Sequence, residues 1–404
     1  MQLEKPEGPA PGPRSWLADI GVVHASNALI AFLFAASAPV AIVLGVGLKG
    51  GLSEAELSSW VFGGFALNGV LSIIVSIVYR QPLAFFWTIS GSVLVGPALN
   101  HLSFQEVIGA FLATGILLLA LGLSGLVGKI MKLLPMPIIM GMVAGVFLEF
   151  GLDWVRALWD DPLLAGSMTA AFILLSLNRR LAERFPPMIG VLIVGIVVIL
   201  AQGSFNPAGG FGYQFVTPIV FRPEFSLPAM IELVIPLAIT VLAAQNAQGI
   251  AILQTRGHEP PVNTITAACG FNSLIIGMFG SVSTCLTGPV NAILSSGGRK
   301  ETHYIAAVII GLFAILFGLH SPMFTKFLLA SPPAFIATLA GLALLRILES
   351  AFKVSFGGKF TLGALVSFLV TLTELTIFNI GAPFWGLVFG FAASWLLERD
   401  HFDK

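Results

Sequence analysis

The chain is short of charge. Only 10% of its 404 residues are Asp, Glu, Lys or Arg, where an ordinary soluble domain carries about 25%. Twenty cationic and twenty anionic side chains cancel, so no net field draws nucleic acid or another polyanion. Cysteine is almost absent. Cys269 and Cys285 both lie in apolar segments and define neither a disulfide framework nor a metal site. No H-E-x-x-H, G-x-S-x-G or phosphate-binding glycine loop occurs. No catalytic residue, metal ligand or cofactor site is therefore read, and an enzyme is the poorly supported class. No short apolar core with a cleavage site opens the chain, so no signal peptide is assigned. Residues 1–15, rich in Pro and Gly, read as a mobile N-terminal tail.

What the chain has is apolar sequence. Hydrophobic residues make up 56%, alongside 44 glycines, and glycine is frequent in packed transmembrane helices. Stretches long enough to cross or half-cross a bilayer lie near 17–47, 58–79, 84–99, 104–127, 136–152, 163–178, 187–202, 228–254, 261–279, 281–296, 303–319, 333–350, 360–378 and 383–397. This predicts an all-α polytopic membrane protein with 14 transmembrane segments. The third and tenth are short and hold Gly-Pro, so each is expected to be part extended limb and part broken half-helix. With both termini cytoplasmic, only Lys49, Arg156, Arg222 and Lys326 of the 20 Lys and Arg fall outside. That is the bias of the positive-inside rule, and removing one span after the third spoils it.

Two features interrupt the apolar pattern. One is the amide run Gln245-Asn246-Ala247-Gln248-Gly249 within span eight. The other is the hydroxyl-rich stretch Ser281 to Pro289 in span ten. An unpaired backbone or amide group costs several kcal/mol in hydrocarbon. A chain that keeps both at membrane depth is expected to line a cavity with them, a substrate site at the bilayer midplane. Span three holds SVLVGPA from Ser92 and span ten TCLTGPV from Thr284. They are seven spans apart, and an odd offset reverses orientation. This predicts a 7+7 inverted repeat, as in many secondary transporters.

AAQNAQGIAILQTRGHEPPVN from Ala243 and GSVSTCLTGPVNAIL from Gly280 closely resemble the bacterial benzoate:proton symporter family. That family is similar in architecture to nucleobase transporters and sulfate-type anion transporters. The resemblance implies a core domain in residues 16–130 and 228–320 (spans 1–4 and 8–11). It implies a gate domain in 131–227 and 321–404 (spans 5–7 and 12–14). It further implies a substrate where half-helices three and ten meet spans one and eight, a bacterial inner membrane, and the homodimers common in related folds. Nucleobase relatives carry acids where this chain has Gln245 and near Pro289. Their absence suits an anionic cargo. The function expected is import of benzoate or a similar small aromatic carboxylate by proton symport. The alternatives are a nucleobase:proton symporter or an inorganic or organic anion exchanger of the same fold. A channel needs a continuous polar stripe, and the sequence has one polar belt at one depth.

Candidate residues follow from the chemistry of a carboxylate. Half-helix N-termini offer free N–H groups and a positive dipole end, which selects Ser90, Gly91 and Ser92 in span three and Thr284, Leu286, Thr287 and Gly288 in span ten. Amides both donate and accept, which selects Gln245, Asn246 and Gln248, with Asn27 at the equivalent place in span one. Phe32, Phe34, Phe86 and Ile89 are candidate walls for an aromatic ring. Intramembrane ionisable groups are functional by default. Glu374, Glu149 and His24 are the proton-coupling candidates, whereas Asp153, Glu232 and Glu349 are read as reaching an interface.

Overall fold

The computed structural model describes residues 3–6, 12, 16, 19–129, 135–177, 187–206, 214–373, 375–378 and 380–402. The chain runs α1 (Val22–Lys49), α2 (Glu54–Tyr79), β1 (Phe85–Trp87), α3 (Ile89–Ala98), α4 (Phe104–Ser124), α5 (Met136–Asp160), α6 (Pro162–Leu177), α7 (Pro187–Gln202), α8 (Leu227–Thr255), α9 (Val262–Gly277), β2 (Thr284–Leu286), α10 (Gly288–Leu294), α11 (His303–Leu319), α12 (Ser321–Leu329), α13 (Pro333–Phe356), α14 (Thr361–Leu372) and α15 (Ala382–Leu397). Among the described residues, seven helices are long and apolar enough to cross a membrane, and six shorter apolar helices accompany them. The protein is a multi-pass membrane protein.

The ends of several helices have local causes. Ser53 and Ser103 open α2 and α4 with capping boxes, each closed by a Glu three residues on. Gly125 ends α4 in the left-handed conformation, the usual glycine stop. Pro39 has no N–H to give the carbonyl of Ala35, so α1 breaks at Ser37. The helices α5 and α13 outrun their expected ends at 152 and 350, because charged last turns continue the helix into the interface. The helix α12 was not expected. It lies on α2 and α1.

Helix pairs approach closely where both partners are glycine. A Cβ on Gly69 would meet the Gly311 carbonyl oxygen at 2.6 Å, and one on Gly270 would meet the Gly115 carbonyl oxygen at 2.8 Å. These contacts seat α2 on α11 and α9 on α4. The wider packing repeats the same scheme. The helix α6 packs on α7 as α14 does on α15, α5 packs on α14 as α13 does on α6, and α5 and α13 lie along each other. Most of these contacts gather α1–α4 with α8–α11 in one group and α5–α7 with α13–α15 in another, with α13 also packing on α1. The extended strap 214–226 crosses the first group. Val216, Phe221 and Glu224 donate backbone N–H bonds to Leu319, Met278 and Gln105.

Candidate functional site

A two-stranded sheet sits inside the helical bundle. β1 and β2 pair antiparallel, with Phe85 opposite Leu286, Phe86 opposite Cys285 and Trp87 opposite Thr284. Thr88 N donates to the Ser283 carbonyl and Thr287 N to the Ala84 carbonyl, closing both ends. Open sheet edges are not tolerated in hydrocarbon. Here side chains from neighbouring helices complete them. Phe85 N donates to Ser72 Oγ at 2.8 Å and Leu83 N to Ser76 Oγ at 3.1 Å. On the other edge, Thr284 N donates to Ser273 Oγ at 2.9 Å and Leu286 N to Asn246 Oδ1 at 2.7 Å. Asn291 bonds the Ala84 backbone in both directions.

Several candidate residues are thereby committed to the scaffold. Asn246 Oδ1 is engaged in holding β2. Thr284 Oγ1 donates to Asn68 Oδ1 and accepts from Asn272 Nδ2, at 2.8 and 3.0 Å. Asn68 also bonds the Gly64 carbonyl, in the π-turn Gly63–Leu67 where the helical ladder is out of register. Gly91 N donates to the Thr88 hydroxyl, Ser92 Oγ donates back to the Thr88 carbonyl, and a Cβ at 91 would strike Thr88 and Leu237. Leu286 packs under Gly249, where a side chain would collide, so that glycine admits the strand.

Other candidates remain uncommitted. Gln245 is 7% exposed and has no side-chain hydrogen bond among the described residues. It lies in a second π-turn of α8, Thr240–Asn246, and such turns recur at functional sites. On one side Thr240 meets the start of α3 through Thr88 at 3.2 Å. On the other, Gln248 lies exposed against Gly288 at the start of α10. Along the helix, Gln245 stands roughly 8 Å from the first contact and roughly 5 Å from the second, at about 1.5 Å per residue. Ser90 is buried and equally uncommitted. Thr287 Oγ1 and Asn27 Nδ2 are buried without partners of ordinary hydrogen-bond geometry among the described residues. The helix α10 spans only seven residues, so its dipole is weak and side chains must supply most of the polarity.

Aromatic rings form the wall beside this polar belt. Phe65 lies 5.5 Å from Phe86, 4.9 Å from Trp87 and 4.4 Å from Phe317, and Phe32 packs on Phe317 at 5.6 Å. Ile89 is buried and Phe34 half-buried. Phe32 also lines an apolar crevice of about 330 Å³ against Leu192 and Ile196 of α7. A larger cavity, about 850 Å³, lies between Lys49, Asp153, Pro333 and Ala340. It does not include Gln245.

The proton-coupling candidates separate. Glu374 lies outside the described residues. The Glu149 side chain is 42% exposed and pairs with Arg156 at 2.6 Å. His24 is buried, with Nε2 3.0 Å from Thr302 Oγ1 and Nδ1 without a partner among the described residues. Glu232, read as reaching an interface, is 3% exposed. The sequence reading also missed the sheet-edge residues. Asn68, Ser72 and Ser76 fall four apart on one face of α2, a polar stripe that could have marked them.

Residues 18–396 match the family described as Benzoate membrane transport protein. The chain belongs to this family. It is 30% identical over 365 residues to Inner membrane protein YdcO of Escherichia coli, covering 89% of this chain and 92% of that protein. It is 29% identical over 375 residues to Benzoate membrane transport protein of Acinetobacter baylyi, covering 92% and 94%. The fold resembles the transmembrane domain of the cyanobacterial bicarbonate transporter BicA, with a TM-score of 0.60 and 14% identity over 92% of this chain and 97% of that one. Murine Slc26a9, described as an anion transporter in the inward-facing state, gives 0.67 and 14% over 98% and 74%. Family membership makes the protein a membrane transporter and not an enzyme. The family resemblance drawn from the motifs that start at Ala243 and Gly280 is borne out.

Proposed function

We propose that the protein imports benzoate, or a small aromatic carboxylate like it, by proton symport across the bacterial inner membrane with both termini cytoplasmic. The observation that carries this reading is Gln245, a buried, uncharged and uncommitted amide between the two strand–helix breaks, in a family with a benzoate transport protein as a close relative. A neutral polar belt suits an anion, since no fixed carboxylate repels it. Gln245, Gln248, Ser90 and Thr287 are the proposed carboxylate contacts, with Asn27 approaching from α1 and the Phe32–Phe86 wall receiving the ring.

The alternating motion is proposed to move α1–α4 and α8–α11, a core domain, against α5–α7 and the helices after Leu329, a gate domain. The paired helix contacts and the antiparallel strands support 14 spans in a 7+7 inverted repeat, which supplies two pseudo-equivalent conformations. Proteoliposomes with an inward proton gradient should accumulate labelled benzoate, and collapsing the gradient should abolish accumulation. Accumulation that ignores the gradient overturns symport. The likeness of the fold to a bicarbonate transporter and an anion transporter favours one second reading, anion exchange. Exchange of bicarbonate or sulfate without benzoate uptake would select it.

A further inference from the structure

A buried carboxylate joins the two helix groups away from the amide belt. Glu232 lies on the first π-turn of α8, Met230–Val234. Pro236, four residues on, cannot donate to the Glu232 carbonyl, which favours the wide turn there. Glu232 Oε2 lies 2.8 Å from His101 Nε2, and the two side chains are 2% and 15% exposed. His101 follows α3, within the same group as α8. Oε1 faces the other way, against the backbone of Gly381, where a Cβ would collide with the carboxylate. It is buried and has no hydrogen-bond partner among the described residues. Gly381 is the N-cap of α15, in the opposite group. One carboxylate thus touches His101 on one group and the start of α15 on the other.

The surroundings leave His101 as its ionic partner. Of the elements packed on this turn, α3 and α15 carry no titratable side chain. The helix α4 brings Glu106, which is occupied in its capping box with Ser103. The strap brings Arg222 and Glu224. An anion at the start of α15 also meets the positive end of that helix.

We propose that Glu232, held in place by His101, forms a proton-dependent latch to the start of α15 in the other helix group, and that Glu232 carries a proton in the transport cycle. The second half rests on the symport reading above. The ionised carboxylate holds His101 and the start of α15 together. Taking a proton cancels its charge, weakens its attraction to the positive end of α15 and frees α15 to move away from α8. The proton leaves from the same carboxylate when the latch re-forms.

Spin labels at Val220→Cys and Trp159→Cys test the latch, because both sites are exposed on opposite groups while the native Cys269 and Cys285 are buried. In the parent, the label distance should change with pH. Glu232→Gln keeps the shape and mimics the protonated acid. It should hold the low-pH distance at every pH, and His101→Gln should also remove the transition. A parent distance that does not move, or a Glu232→Gln distance that still follows pH, overturns the latch. In proteoliposomes, Glu232→Gln should retain benzoate counterflow and lose gradient-driven accumulation. Retained accumulation overturns the proton-carrying role. If the parent moves no benzoate at all, the proposed function fails while the distance measurement still judges the latch.

Discussion

Gln245 and Asn246 are neighbours with opposite duties. The wide turn of α8 sends Asn246 to the β2 edge and leaves Gln245 buried without a partner. Gln245→Ala should remove hydrogen bonds to a carboxylate worth roughly 1.5–3 kcal/mol each. Titration calorimetry should then show benzoate affinity weakened ~10-fold or more. Gln245→Glu should weaken it further, because it sets an anion beside an anion. Parent-like affinity in Gln245→Glu at neutral pH removes this residue from the site. Glu149→Gln should leave accumulation intact, since a half-exposed pair with Arg156 contributes about 0–1 kcal/mol and lies at the rim.

His258 supplies a pH dependence of stability. Burial, then the neighbouring His303 and Lys300, lower its pKa to about 4. The unfolded chain binds this proton near 6.5 and the folded chain does not, so its contribution is complete above pH 6.5. It declines by at most ~1.4 kcal/mol per unit as pH falls toward 4. His258→Gln should flatten the melting temperature between pH 6.5 and 4. An unchanged slope would assign the acid sensitivity elsewhere.

At the scale of elements, the strand pair is the unusual part. Sheet edges survive at membrane depth only because serine and asparagine side chains replace missing strands. Asn246→Ala leaves Leu286 N buried and unpaired, at a cost of roughly 1–3 kcal/mol. It should lower the melting temperature in detergent, whereas Gln245→Ala should not. Equal melting temperatures for the two variants would mean that another group satisfies the edge. The same logic explains Gly249, which must stay bare for Leu286 to reach Asn246.

For the whole molecule, the question is which contacts must break for the two helix groups to move. Lys49 of α1 reaches Asp153 of α5 at 2.6 Å and lies over the Phe150 ring. Both residues line the largest cavity named above. A short cleavable crosslinker between Lys49→Cys and Asp153→Cys should stop benzoate uptake, and cleavage should restore it. Transport undiminished by complete crosslinking would show that α1 and α5 keep their separation throughout the cycle.

Membrane insertion, the order of the apolar segments and the two Gly-Pro breaks were legible in the sequence, because hydropathy and helix-breaking chemistry act locally. The amide run was legible as well, since Gln and Asn inside an apolar helix demand partners. The partners themselves were not. Whether an amide at 245 or 246 faces a cargo or a strand depends on the π-turn and on a β2 edge forty residues away. Glu232 shows the same limit. Its position near the start of span eight suggested an interface, and only the approach of His101 and of Gly381 from distant segments buries it. Local pattern determined which residues enter the membrane. Tertiary contact decided which of their polar groups are satisfied and which remain for the cargo and the proton.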